Sequence, residues 1–209
     1  MTSHIKNIIF DLGDVILNID IPRTVRAFAE LSGHSDQHLQ KAFVENELFR
    51  KFETGSLSED GFRNLIREIL EMPELNDSDI DYAWNALLLD IPPARIALLK
   101  KLSDRYRLYL LSNTSSIHIA KVNQILHTTS GIGDLKYLFD KIYVSYEMGI
   151  MKPDPQIYLN LIADAGIVAD QTLFLDDNEA NVEAAGKLGI HTIHVQKPNT
   201  ILEYLSLYA

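Results

Sequence analysis

Five short stretches of this chain are apolar almost throughout: "NIIF" (7–10), "RLYLL" (107–111), "KIYVS" (141–145), "TLFL" (172–175) and "HTIHV" (191–195). Each is rich in β-branched or aromatic residues, and unbroken apolar runs of this length read as strands buried on both faces. From the second onward they alternate with segments of helical period, the pattern of a parallel α/β sheet. Ile96, Leu99 and Leu102 share one helical face behind Pro92 and Pro93, and Ile117, Ala120, Gln124 and Ile125 share another. Ile157, Tyr158, Leu161, Ile162 and Ala165 form a third stripe, opened by Pro155 and closed by Gly166, as expected for a helix with proline in its first turn and glycine after its last. Val182, Ala185 and Leu188 form a fourth, closed by Gly189.

Residues 20–90 differ, because no stretch there reads as a strand. The apolar spacing predicts about four helices, carried by Val25, Phe28 and Leu31; by Leu39, Phe43, Phe49 and Phe52; by Phe62, Ile66, Ile69 and Leu70; and by Ile80, Trp84, Leu87 and Leu88. Gly33, "TGSLS" (54–58) and Pro73 mark the breaks. The expected architecture is α/β: a doubly wound parallel sheet built from residues 1–18 and 91–209, with a helical insertion over residues 19–90 after the first strand.

Composition narrows the function. The chain has 209 residues, 46% hydrophobic and 23% charged, as in an ordinary globular protein. Twenty-nine acidic residues against 19 Lys and Arg give a formal charge of −10, and with no basic run this argues against nucleic-acid partners. An anionic ligand would need a site that brings its own cations. Cysteine is absent, which excludes disulfides, thiolate metal sites and thiol catalysis and suits a reducing cytosol. "MTSHIKNIIF" lacks the apolar core of a signal peptide, and no stretch approaches the roughly 18 apolar residues of a membrane span, so a cytoplasmic protein is expected.

In an open parallel sheet, ligands bind beyond the carboxyl ends of the strands. Asp11 follows the first strand, Ser112 and Asn113 end the second in "LYLLSNTSS", Lys152 comes shortly after the third in "MKPDPQIY", and Asp176 and Asp177 follow the fourth in "LFLDDNEAN". Four strand ends thus offer carboxylates, a hydroxyl and an ammonium. Such a set suits phosphoryl transfer: carboxylates hold Mg²⁺, a free Asp oxygen can attack phosphorus, and Ser112, the Asn113 backbone N–H and Lys152 would receive the phosphoryl oxygens.

These four segments, in this order and spacing, resemble the four motifs of the haloacid dehalogenase superfamily in its phosphatase branch, over residues 7 to about 195. The resemblance implies a Rossmann-like core with the helical insertion as a cap. It implies Asp11 as nucleophile and Mg²⁺ ligand, the Gly13 carbonyl and Asp177 as further ligands, and Asp176 and Asn181 as their support. It implies that Ser112, Asn113 and Lys152 bind the phosphoryl group of a small phosphorylated metabolite, in a monomer or homodimer.

The sequence departs from the family at Gly13. Most of its phosphatases carry there an aspartate that protonates the leaving group and then activates water, help worth roughly 10²–10⁴-fold in rate. Asp14 is one substitute, a water molecule a second. The third is a substrate whose leaving group needs little protonation, such as an anomeric sugar hydroxyl, and "DLGDV" resembles the subgroup that includes glucose-1-phosphate phosphatases. Two rival readings are a metal-independent haloacid dehalogenase, against which the Asp176–Asp177 pair argues, and a binding protein that lost turnover along with the acid. Phe49, Phe52 and Trp84 read as core residues, and the histidines show no metal-ligand spacing. The turn "FETGSLS" (52–58) makes Glu53 a candidate for presentation to the active site, testable by whether Glu53→Ala changes the Michaelis constant.

Overall fold

The computed structural model describes residues 4–209; the first three residues of the expected core segment lie outside the described residues. All five expected strands form: β1 (Asn7–Phe10), β2 (Arg107–Ser112), β3 (Lys141–Val144), β4 (Thr172–Asp176) and β5 (His191–His194). They make one parallel sheet in the order β3-β2-β1-β4-β5, with β1 central. Successive side chains of a strand point to opposite faces. Ile8 and Phe10 of β1 enter one apolar cluster with Leu108, Leu110, Leu173 and Leu175, while Ile9 enters the other with Tyr109, Leu111 and Phe174. Helices α6 (Pro93–Ser103), α7 (Ser116–Ser130) and α11 (Ile201–Tyr204) supply the first cluster, and α9 (Pro155–Ala165) and α10 (Glu179–Gly186) the second. With both faces covered, the central β1 and β4 are buried along their whole length, whereas the edge strand β5, His-Thr-Ile-His, is only partly buried. The short α8 (Ser145–Met148) follows β3 directly.

The insertion contains five helices among the described residues: α1 (Pro22–Ser32), α2 (Asp36–Glu45), α3 (Leu48–Glu53), α4 (Glu59–Leu70) and α5 (Asp77–Trp84). The stripe from Leu39 to Phe52, read as one helix, is two. Asn46 caps α2, and Glu47 takes a left-handed backbone at φ 49°, which redirects the chain into α3. The bend lets Phe43, Phe49 and Phe52 all meet a third apolar cluster, in which Phe52 stacks on Phe62 at 4.2 Å and Phe62 meets Trp84 at 4.7 Å.

A second correction concerns α7. Its buried face is Ile117, His118, Val122 and Leu126, whereas Ala120 and Gln124 are exposed. The helix serves two clusters: Val122 and Leu126 pack on the sheet, and Ile117 joins the insertion. Its first turn anchors the insertion to the core. Trp84 stacks on His118 at 4.7 Å and donates to Ser115 Oγ at 3.0 Å, and Ser116 Oγ lies 2.6 Å from Glu59 Oε1. No described helix is long and apolar enough to cross a membrane.

Candidate active site

The register of the sheet creates the site. Phe10 of β1 pairs with Leu175 of β4, and the Asp11 N–H donates to the Leu175 carbonyl at 2.9 Å, so Asp11 and Asp176 emerge side by side beyond the central strands. This is the crevice at which strand order reverses, since β2 and β3 lie to one side of β1 and β4 and β5 to the other.

Lys152 sits between the two carboxylates. Its Nζ is 2.8 Å from Asp11 Oδ1, 2.7 Å from Asp176 Oδ2 and 2.9 Å from the Leu111 carbonyl, which uses all three of its protons. Burial opposes the charge on Lys152, but Asp11 and Asp176 outweigh it, and the ammonium is held well into the charged range. Asp176 is fully buried and also accepts from Asn181 Nδ2, at 3.1 and 3.0 Å, and from the Asn178 N–H at 2.8 Å. Asp177 is exposed beside it, with its backbone carbonyl 2.8 Å from His194 Nε2. Carboxylate oxygens of Asp11, Asp176 and Asp177 lie within 4.8 Å of one another. Three acids against one ammonium leave an excess of negative charge. Burial, against the pull of Lys152 and with the push of Asp176, lifts Asp11 to about 7; partial desolvation of its carboxylate, with Asp176 beside it, also raises the solvent-facing Asp177.

Ser112 ends β2 and is buried. Asn113 acts through its side chain as well as standing in the loop. Its Nδ2 donates to the Lys152 carbonyl at 2.9 Å, and its Oδ1 accepts the Lys152 N–H at 2.8 Å. The next residue is tied similarly, the Thr114 N–H donating to Ser145 Oγ at 2.9 Å. These clasps join the ends of β2 and β3, and nothing in the local sequence distinguishes them from ordinary loop polarity.

Gly13 borders a cavity of about 300 Å³ between core and insertion, together with Ile19, Phe49, Glu53, Ser112 and His118. A Cβ at Gly13 would meet Ile19 Cδ1 at 2.9 Å, so any side chain there requires the tip of Ile19 to shift. Asp14 lies elsewhere, with a left-handed backbone at φ 51°. Its carboxylate accepts the Ile19 N–H at 3.3 Å and pairs with Lys197 at 3.0 Å, bordering a separate groove with Asp177.

Two residues of the cavity carry further chemistry. Glu53, at the end of α3, has no hydrogen-bond or ion-pair partner among the described residues; burial first and the negative charge of Asp11 second raise its carboxyl to about 7. His118 is buried, keeps a neutral ring because burial pushes its pKa down to about 3, and binds Asn85 Oδ1 through Nδ1 at 2.9 Å. The spacing of histidines in the sequence gave no sign of this role, because its partners Trp84 and Asn85 come from the distant insertion.

Comparison with known proteins shows the family and the fold. A family model described as haloacid dehalogenase-like hydrolase matches residues 5–189. D-ribitol-5-phosphate phosphatase of Bacteroides thetaiotaomicron is 32% identical over 189 residues, covering 90% of each chain. A HAD family enzyme of the same organism, solved in complex with magnesium and inorganic phosphate, superposes with a TM-score of 0.87 at 36% identity, covering 96% of this chain and 98% of that one. A predicted HAD-like family hydrolase from Porphyromonas gingivalis superposes at 0.88 with 30% identity, covering 98% of both.

Proposed function

Because the chain belongs to the haloacid dehalogenase-like hydrolases, we propose that it hydrolyses phosphate monoesters of small metabolites, sugar or polyol phosphates first among them, with Asp11 as nucleophile. The observation that carries this reading is the triad of Asp11, Lys152 and Asp176 at 2.7–2.8 Å with Asp177 beside it. The donor set fits Mg²⁺, which takes hard oxygen ligands and suits a cluster whose negative charge exceeds what Lys152 neutralises. Asp11, Asp177 and the Gly13 carbonyl would hold the ion, with Asp176 and Asn181 as support. The bound ion supplies charge neutralisation and orientation for the phosphoryl group.

The chain's own residues account for the rest. Lys152 fixes Asp11 Oδ1, so the carboxylate is presented in one orientation. In the first step an Asp11 oxygen bonds to phosphorus as the bond to the leaving oxygen breaks. Water then displaces Asp11 from phosphorus, releasing phosphate and restoring the carboxylate. Ser112 would donate to a phosphoryl oxygen, and Lys152, whose three protons are already engaged, would offset its negative charge. The insertion over residues 19–90 serves as a cap, and its cavity of about 300 Å³ suits a short carbon skeleton.

D-ribitol-5-phosphate phosphatase is the relative that supports the polyol reading. The glycine at position 13 supports an anomeric phosphate such as glucose 1-phosphate. The test is hydrolysis of p-nitrophenyl phosphate, ribitol 5-phosphate, glucose 1-phosphate and glucose 6-phosphate with Mg²⁺ and with chelator, beside Asp11→Asn. Mg²⁺-dependent turnover lost in Asp11→Asn is expected. Mg²⁺ binding with no turnover on any ester would favour a non-catalytic binding protein, and metal-independent release of halide from a haloacid would favour a dehalogenase.

A further inference from the structure

The reaction needs a proton for the leaving oxygen, and the loop after β1 offers none at Gly13, which has no side chain and lies against the tip of Ile19. The insertion's contribution to the same cavity does carry a carboxyl. Glu53 borders it together with Gly13, Ser112 and Asn113, and no basic or hydrogen-bonding partner among the described residues claims it.

Its position is fixed by the turn that follows. Gly55 has φ +69°, and a Cβ there would lie 2.2 Å from the Tyr146 carbonyl oxygen, so backbone packs on backbone in a way only glycine allows. Thr54 Oγ1 closes the helix end on the Arg50 carbonyl at 2.7 Å. The end of α3 is therefore docked against α8, just after β3, and Glu53 is held over the strand ends. Glu53 is half-buried there, so its carboxyl stays open to the cavity instead of being spent on a structural partner.

We propose that Glu53 is the general acid and general base of the reaction, supplied by the insertion in place of the residue missing at Gly13. This rests on the phosphatase reading. In the first step the leaving oxygen takes the Glu53 proton as its bond to phosphorus breaks, and the alcohol departs. In the second the Glu53 carboxylate takes a proton from the water that attacks phosphorus, Asp11 is released, and Glu53 is again protonated. The charged groups facing it are Asp11, which favours retention of the proton, and Lys152, which opposes it. With the acid on the insertion, protonation of a poor leaving group requires the insertion to be docked. Phosphates of ordinary alcohols thereby become accessible substrates alongside anomeric ones.

The test is the dependence of kcat/KM, which spans the steps up to release of the alcohol, on the leaving group. Wild type, Glu53→Gln and Glu53→Ala are assayed on p-nitrophenyl phosphate, whose leaving group needs little protonation, and on ribitol 5-phosphate, a primary alkyl phosphate. The expected loss in both variants is about 10²–10⁴-fold on the alkyl ester and below about tenfold on the aryl ester. Because the ratio is taken on one sample, it does not depend on the fraction of protein that folds. Equal losses on both esters, or a change in KM alone, would overturn the assignment while leaving the phosphatase reading intact. Wild-type enzyme that hydrolyses neither these esters nor the glucose phosphates would overturn both.

Discussion

The side chain of Asn113 holds the backbone of Lys152 at both ends of one residue, its Nδ2 on the Lys152 carbonyl at 2.9 Å and its Oδ1 on the Lys152 N–H at 2.8 Å. The two residues are 39 apart in sequence, and this clasp sets where the lysine stem begins. The ammonium then reaches Asp11 and Asp176 without searching. Removing the clasp should displace Lys152 while leaving its charge intact. Asn113→Ala is expected to lower kcat by about 10–100-fold, the scale of a small misplacement in a catalytic constellation. Loss of two modest hydrogen bonds should lower stability by about 1–2 kcal/mol. Steady-state kinetics and urea unfolding check both, and wild-type kcat in a variant that has lost the stability would show that the lysine is placed by other contacts.

The acid cluster gives a second expectation. Asp11, Asp176 and Asp177 crowd their oxygens within 4.8 Å, with one ammonium between them. A divalent cation that binds only the folded chain stabilises it by about 2.7 kcal/mol at a hundred times its dissociation constant. Mg²⁺ should therefore raise the melting temperature by several degrees, and chelator should reverse it. Asp177→Asn should reduce the rise and demand more Mg²⁺ for half-maximal activity, whereas a carboxylate on the far side of the sheet, such as Asp140→Asn, should change neither. Thermal melts across a Mg²⁺ titration would detect it.

Much of this was legible in the chain because the buried central strands are short, nearly continuous apolar runs. The strand ends then bring Asp11, Ser112 and Asp176 to one edge, and Lys152 follows β3 into the same crevice. What escaped the sequence depends on contacts between distant segments. Glu47 carries no local signal for the left-handed turn that splits α2 from α3; the turn exists because Phe43, Phe49 and Phe52 all reach one cluster. The buried face of α7 was misread because its two ends serve different clusters, so no single stripe describes it. Asn113 looked like a phosphate-loop backbone donor, and its grip on Lys152 could not be seen without knowing how β2 and β3 meet.

Glu53 makes a prediction about pH that is independent of catalysis. Its carboxyl is raised from the usual 4.5 to about 7 by burial and by Asp11. Between those values the folded chain holds a proton that the unfolded chain has released. Stability from this group is therefore complete below the unfolded value and is lost as pH rises through the folded one. Asp11, also raised to about 7, acts with the same sign. Glu53→Gln removes the Glu53 contribution, so the variant should gain on wild type as pH increases. In chelator, the difference in melting temperature between variant and wild type is expected to grow by a few degrees from about pH 5 to about pH 8. A constant difference would mean that Glu53 ionises in the folded state as readily as in water.

The pairing of Gly13 with Ile19 sets the last prediction. A Cβ at position 13 would approach Ile19 Cδ1 to 2.9 Å, so an aspartate there must compete with the isoleucine for space. Ile19 is only partly buried and its contact atom is the end of a side chain, so shortening it should relieve the conflict. Gly13→Asp alone should be slightly destabilised, by no more than about 1 kcal/mol, because only the tip of Ile19 has to move. Gly13→Asp with Ile19→Ala should recover the stability lost to that contact. In a Glu53→Gln background the same pair should restore part of the lost activity on an alkyl phosphate, by about tenfold or more, because a carboxyl then stands again beside the leaving oxygen. Ile19→Ala without the aspartate should restore nothing. Kinetics on the four variants separate the supply of an acid from the mere opening of the cavity, and rescue by Ile19→Ala alone would assign the defect to space instead of protons.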